Sequence, residues 1–512
     1  MTRLLSRLRR AARDESGFSM IVVMGVLAVG SLFLAAGFAA ADGEVPLVKE
    51  SKDRKQAYAA AESGLAYYRF QLTRDNDYWT RCDNVPGPAA GVDAPVTQAG
   101  ATDRNWRALP GGSGEYTIEL LPAKGKTACV EGDDTSMLEK STGTFRIRAT
   151  GRSGGVTRSI VATFRRASFL DYLYFTNYET TDPAAYGTTL ERTLADTLCA
   201  GKYRSSRPAW CREIQFVEPD AIRGPLHTND NILTCNRPTF GRDENDTVEV
   251  SGPAPGYVTN CGPDVPDFRG TFKFLQPKLD VPSSNAELKN VVGAHKYTGV
   301  TVIRLNGNRY SVSVKGSAPV TYDIPASGVI YVSSGPSCTG TTPPVDARYT
   351  ESADCGIVYL SGSYSKSLTI ASALDIVIRP PAGETNGDVT RSGDALLGLI
   401  ADNFIRFYHP VSGCTNAAPV MSTLRVDAAM LALNHSVTAD NYDCGARMGN
   451  LTINGAIAQE YRGAVGTSSP SGFIKDYNYD DRLRFRSPPY FLTPVDAAWK
   501  VIRTNEQVPA AS

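Results

Sequence analysis

The hydrophobic and polar positions of this chain change rhythm three times. From Phe18 to Ala41 the sequence FSMIVVMGVLAVGSLFLAAGFAAA runs 24 residues without a charge. As an α-helix that run is about 36 Å long, enough to cross a hydrocarbon core of about 30 Å with some tilt. From 42 to 75 the apolar or small residues Ala57, Ala61, Leu65, Tyr68 and Leu72 recur at spacings of 4, 4, 3 and 4. That is one stripe of a helix. Pro46 lies where the apolar run ends and is expected to kink or interrupt the helix. Beyond residue 76 the rhythm turns to period two. YTIELLPA (116–123) and TFRIRATGRSGGVTRSIVATFRR (144–166) alternate, and Gly154-Gly155 reads as the turn of a β-hairpin.

From about 167 to 512 a loose phrase returns: GPLHTNDNI (224–232), GVIYVSS (328–334), GIVYLSG (356–362), GLIADNFIRF (398–407), MLALNHSVTA (430–439) and GAIAQEYRGA (455–464). Each is a short apolar strand ended by Asn, Asp, Gln or Ser. GVIYVSS and GIVYLSG start 28 residues apart, and the last three phrases start 32 and 25 apart; steps of 25–32 residues suggest rungs of a parallel β-solenoid. Inward stacking of Leu399, Leu431 and Ala456, with Asp402, Asn434 and Gln459 at the corners, is the expected arrangement. A β-sandwich with long loops is the alternative. The fold class is therefore mainly β with a long N-terminal helix: a β-rich module over 76–166, then a solenoid-like domain over 167–512.

Composition adds a compartment. The 512 residues balance 53 Lys+Arg against 53 Asp+Glu, so no basic excess exists for phosphates and no nucleic acid is expected as partner. Arg3, Arg7, Arg9, Arg10 and Arg13 precede the apolar run. They predict an N-terminus inside and a single-pass chain whose C-terminal body is outside. The run is also longer than the apolar core of a secretory signal.

These features resemble a known family. A basic leader over 1–17, then Gly17, then Phe18 opening the apolar run, is similar to the leader of type IV prepilins. The segment AAAESGLAYY (59–68) is similar to the AAE-x-GL signature of PilX-type minor pilins. The resemblance covers about residues 1–75. It implies that a prepilin peptidase cuts between Gly17 and Phe18. Val22, Gly25 and Gly30 then belong to a membrane and pilus core helix (18–41), which continues outside over 42–75 past Pro46. Major pilins carry a Glu at the fifth mature position, where it meets the N-terminal amine of a neighbouring subunit; Val22 stands there and cannot do so. That departure fits a minor subunit. The implied partners are other pilins, the peptidase, the pilus assembly platform and the membrane, with a surface glycan or protein as a ligand of the body. The body, through GPLHTND, ADNFIRFYHP, ALNHS and YDDRLRFRSPPYFLTP, also resembles ectodomains of pilin-like surface proteins of Gram-positive bacteria, which implies no activity.

The ten cysteines all follow the apolar run, where oxidation is permitted, and none forms a CxxC pair. Pairing in chain order is the simplest arrangement: Cys82–Cys129, Cys199–Cys211, Cys235–Cys261, Cys338–Cys355 and Cys414–Cys444. Spacing does not exclude other connectivities. Of the four histidines, His227, His409 and His435 end strands of the repeated phrase. A metal or acid–base site from His227, Asp230, Asp402 and His435 is the sharp reading. The preferred one is that such side chains satisfy backbone groups at solenoid corners. No HExxH or P-loop occurs, so no cofactor and no catalysis is expected. The acidic runs 243–250 and 476–485 lack EF-hand spacing for Ca²⁺. The arginines of the hairpin (Arg146, Arg148, Arg152, Arg158, Arg165, Arg166) read as a solvated strand face.

The expected function is a minor pilin-like subunit for initiation, tip display or adhesion, with a membrane-tethered carbohydrate-active enzyme on a β-helix as the alternative. Mass spectrometry of the membrane-extracted chain is expected to give Phe18 as the first residue; a chain beginning at Met1 contradicts the processing site.

Overall fold

The computed structural model describes residues 19–75, 77–82, 96–99, 104–112, 114–131, 133–139, 142–203, 207–262, 265–345, 347–416, 421–467, 471–495 and 497–508, without the side chains of 19, 36–47, 134 and 416. The expected processing site, Gly17 and Phe18, lies outside these residues, as does the 1–17 leader.

One helix, α1, runs from Ser19 to Arg74 over 56 residues. Pro46 does not interrupt it, contrary to the expectation. A proline inside a helix deletes only its own N–H from the ladder, and here the turns on both sides carry on. The second half of α1 lies against a sheet ordered Val96–Gln98, Glu115–Leu121, Thr144–Ser153, Val156–Arg166, Trp499–Gln507. Its last three joints are antiparallel. The hairpin turns at Gly154 and Gly155, both at positive φ (54° and 85°), between the paired Ser153 and Val156. A two-residue turn with both φ positive matches the twist of the strands it joins.

The fifth strand comes from the end of the chain. Trp499–Gln507, assigned by sequence to the second region, pairs with Val156–Arg166. The large β domain is thus an insertion between two neighbouring strands of the first sheet.

That domain is a parallel β-solenoid, not a sandwich. One of its sheets stacks, in order, His295–Thr298, Val329–Ser333, Leu368–Ser372, Leu397–Ala401, Ala429–Ala432, the end of Arg447–Arg462, Tyr174–Thr181, Leu226–Thr228, Thr247–Val250 and Thr271–Lys273, every joint parallel. All the repeated phrases fall on this sheet except GIVYLSG, whose strand Val358–Tyr364 belongs to a second parallel sheet. The rungs do not follow chain order. The first one (174–181) sits in the middle. The chain climbs away to 271–273, crosses to the far end by 274–294, and returns rung by rung until 457–459 lies on 174–176.

Two straps cover the outer face of the main sheet. In the crossing strap Asn285 donates its N–H to Asp402 at 2.7 Å and its side-chain amide to the Ser372 carbonyl at 2.7 Å. In the returning strap Phe491 packs on Gly398, and Thr369 donates its hydroxyl to the Pro489 carbonyl. With both faces covered, the strands read as continuous apolar runs. This corrects the expected stacking. Leu399 pairs with Met430, Leu431 with Ile400 and Ala456 with Ala429, three separate columns. A pattern apolar at every position does not encode register. Asp402 and Asn434 do stand at a corner, where Asn434 donates to the Asp402 carbonyl at 2.7 Å. Gln459 instead is buried and binds the Val437 N–H and the Tyr174 hydroxyl.

Five disulfides close as chain order suggests: Cys82–Cys129, Cys199–Cys211, Cys235–Cys261, Cys338–Cys355 and Cys414–Cys444. Each ties a loop to its own neighbourhood, which restricts the unfolded chain.

Candidate functional site

The front of α1 is a free apolar rod. Every large apolar side chain from Met20 to Leu34 is between 52% and 75% exposed. Apart from the helix's own adjacent turns, no atom of the described residues lies within 4 Å of where a side chain at Gly25 or Gly30 would begin. Val22 is on this rod, 52% exposed. Among the described residues no helix is long and apolar enough to cross a membrane; the side chains of 36–41, which complete the uncharged run, are outside that description. So much exposed apolar surface is unfavourable in water, at about 25 cal/mol per Å².

The back of α1 is seated on the sheet by small residues. Ala57, Ala60 and Ala61 are fully buried, as is Tyr68, with Leu72 at the end of the stripe. The helix backbone lies almost on the strand Thr144–Ser153. A Cβ on Gly151 would stand 2.1 Å from the Ala57 carbonyl and 2.4 Å from the Ala61 nitrogen. One on Gly64 would meet Tyr116 at 2.9 Å. This is the physical content of the AAAESG segment: alanines and a glycine allow the approach. Beyond them Tyr68 meets Tyr78 and Phe164 at 5.3 and 5.8 Å between ring centroids. Phe145 stacks on Phe164 at 4.9 Å and takes the edge of Trp499, from the returning strand, at 4.7 Å.

The hairpin arginines divide. Arg148 pairs with Glu119, Arg152 with Glu115 and Arg158 with Glu506, all at 2.6–2.8 Å across strands. The pairs of Arg152 and Arg158 lie at the surface and add little individually, whereas Glu119 is buried. Arg165 corrects the expectation of a solvated face. It is buried, donates to the Leu483 carbonyl at 3.0 Å and pairs with Asp171. It thereby ties the sheet to both ends of the solenoid insertion.

The histidines do not converge. His227 is buried between Phe175 and Glu249, with its other ring nitrogen 3.2 Å from Asn229. Burial works to raise Glu249, but hydrogen bonds from His227 and Tyr172 outweigh it and hold its pKa at about 2. His409 is fully buried against the Asp440 carbonyl at 3.1 Å. His435 stacks on Phe404 and places Nδ1 at 3.1 and 3.2 Å from the two Asp182 oxygens. Asp230 is committed to Arg207 and to backbone N–H groups of Glu179 and Asn231. Asp402 holds the crossing strap, and its burial raises its pKa. Among the described residues no group of three or more His, Cys, Asp or Glu has the geometry to hold a metal ion. In the acidic runs, Asp246 is engaged by Arg242 and Arg484, and Asp480 by Arg391 and Arg482.

Among the buried charges that sequence reading missed is a centre around Arg406. Arg406, within the IRF strand, donates to Asp440 at 2.7 Å, to Asp375 at 2.9 Å and to the Thr342 carbonyl at 3.1 Å. It pins the disulfide-closed loop around 338–355 onto the solenoid. Burial pushes Asp440 up to about 6 in spite of Arg406. The available signal was an arginine in an otherwise apolar strand.

No protein-family model matches the chain, nor does any curated protein sequence. Among solved structures the chain is similar to the competence-associated pilin ComZ from Thermus thermophilus, at 12% identity, with 89% of this chain and 98% of that chain covered. The TM-score of that superposition is 0.28, too low to carry a conclusion.

Two outcomes follow from this geometry. Gly151→Val is expected to lift the helix from its seat. It should cost about 2–4 kcal/mol, beyond ordinary overpacking because the neighbour is backbone. Denaturant melts followed by tryptophan emission, set against Gly25→Ala, check it. At His435, burial would lower the pKa but Asp182 outweighs it, and the net shift is upward. The stability this pair contributes is therefore full below the ordinary histidine value and fades as pH rises through the raised one. The stability gap between the wild type and His435→Gln is expected to shrink from about pH 6 to about pH 9. A gap that widens over that range contradicts the assignment.

Proposed function

We propose that this chain is a minor, pilin-like subunit that carries a large disulfide-bonded solenoid outside the cell. Its rod, Phe18–Ala41, inserts in the membrane and packs beside the rods of other pilins after a prepilin peptidase has cut behind Gly17. The pilus assembly platform and its motor move the subunit. The solenoid serves initiation, tip display or adhesion to a surface glycan or protein.

One observation carries this reading: a single continuous helix has a front of bare apolar side chains and a back seated on an antiparallel sheet. The bare front calls for lipid or other apolar helices as its surroundings. The seat transmits force from the rod into the body. Val22, in place of an acidic residue, leaves a rod that joins others by apolar packing alone. The tethered carbohydrate-active enzyme has less support. In the acidic runs the buried Asp246 and the half-buried Glu249 and Asp480 are each held by arginine, histidine or lysine partners. A general acid needs a carboxyl whose pKa is pushed up and which can reach substrate.

A photo-crosslinking residue at Val26 is expected, in the native host, to capture other apolar-helix subunits in the sheared surface-fibre fraction. The same residue at Val292, on the solenoid, should not capture them. Crosslinks at Val26 to lipid alone, with the chain absent from the fibres, leave only an anchor and sink the pilin reading. Turnover of a polysaccharide by the purified chain, lost in Asp402→Ala or His435→Ala, would replace display by catalysis.

A further inference from the structure

The second parallel sheet has its own seam, where Gly472–Tyr479 from the last part of the solenoid lies on Ala221–Arg223 from the first. Tyr477 pairs with Ile222 and Asn478 with Arg223. Asp220 immediately precedes the one strand, and Lys475 lies two residues before Tyr477 on the other. Lys475 also follows Leu451 in the stack, and Leu451 and Tyr477 are both buried, so the lysine points into the solenoid. Its Nζ is 2.6 Å from Asp220 Oδ2, and the side chains are only 16% and 14% exposed. The Val217 N–H donates to the same oxygen at 3.1 Å. Phe216, 1% exposed, lies with its ring centroid 5.9 Å from Nζ. Tyr174, Tyr477 and Arg462 line the same small cavity. A second buried carboxylate is one ion pair away, since Arg462 binds Glu179 at 2.9 Å.

An ion pair in such a place pays desolvation that its attraction does not fully return. A covalent amide removes both charges and keeps the contact. We propose that Lys475 Nζ and Asp220 Cγ are joined in the mature protein by an intramolecular amide bond that locks the seam.

The chemistry balances without any co-reactant. The amine adds to the carboxyl carbon and a C–N bond forms. The two protons that nitrogen gives up leave with one Asp220 oxygen as water, and that C–O bond breaks. The protons pass directly from Nζ to the Asp220 oxygen it contacts at 2.6 Å. The Val217 N–H meets charge that develops on that oxygen, as a fixed donor does in acyl transfer. Burial pushes the Lys475 amine toward its neutral, nucleophilic form, and Arg462 adds to this against the pull of Asp220. Apposition by the parallel register replaces the activated acyl donor that such a reaction needs in water. Asp220 and Lys475 are 255 residues apart, so the bond closes nearly the whole solenoid into a ring. Pulling on the body then meets a covalent link where the two halves meet.

Peptide mapping of the full chain, extracted in detergent, reduced and alkylated, tests this. The expected result is a branched tryptic peptide joining the segments around Lys475 and Asp220, no cleavage after residue 475, and an intact mass one water below that of the open chain. Lys475→Arg keeps the ion pair but not the nucleophile. It should restore the full mass, abolish the branched peptide and slow migration on a denaturing gel. A wild-type chain of full mass, cut by trypsin after Lys475, would show an ion pair only and overturn the proposal, whether or not the variant folds.

Discussion

The structure depends on the pairing of Arg166 with Trp499. These residues face each other in one antiparallel sheet, so everything between them must leave and return at one place. A solenoid that simply grew away from the sheet would end far from its start. This chain solves the problem by placing its first rung in the middle, building outward in one direction, crossing by a strap, and building back from the far end. The return is sealed where 457–459 meets 174–176 and where 472–479 meets 221–223.

That seam explains where the buried charges lie. Arg462 with Glu179, Arg207 with Asp230, and Lys475 with Asp220 all sit at or beside it. Apolar packing alone would let one rung slip on the next, whereas a buried pair penalises any register that leaves a charge without its partner. The free ends of the stack are handled differently. Charged and polar residues at Thr271–Lys273, and the hairpin of Arg309–Val314 with Val320–Asp323, blunt strands that would otherwise invite pairing with another chain.

The same topology couples the helix to the body. The strand Trp499–Gln507 completes the sheet beneath α1, and Trp499 packs into the aromatic cluster that also holds Tyr68 and Phe145. The seat of the helix is whole only once the solenoid has closed. The rod therefore carries the body through two chain connections on adjacent strands. A load on one is shared by the other.

Much of this was legible in the residues alone. The charge-free rod, the stripe of Ala57, Ala61 and Tyr68, the Gly154-Gly155 hairpin, the parallel rungs and the short-range pairing of cysteines all follow from local rules: helical and strand periodicity, the φ a two-residue turn demands, and the proximity of cysteines along the chain. Other features were settled only by the tertiary structure. Rung order, the separate columns of Leu399 and Leu431, the inward Gln459, the uninterrupted helix at Pro46 and the scattered histidines depend on contacts between distant segments. So do the roles of Arg165, Arg406 and Lys475. Where straps cover both faces of a sheet, every position becomes apolar and the sequence pattern loses the contrast that would set register. Arg462 and Lys475 find their partners 283 and 255 residues away, beyond any local rhythm. The sequence thus determined which pieces form, and the constraint that both ends of the insertion meet decided how they stack.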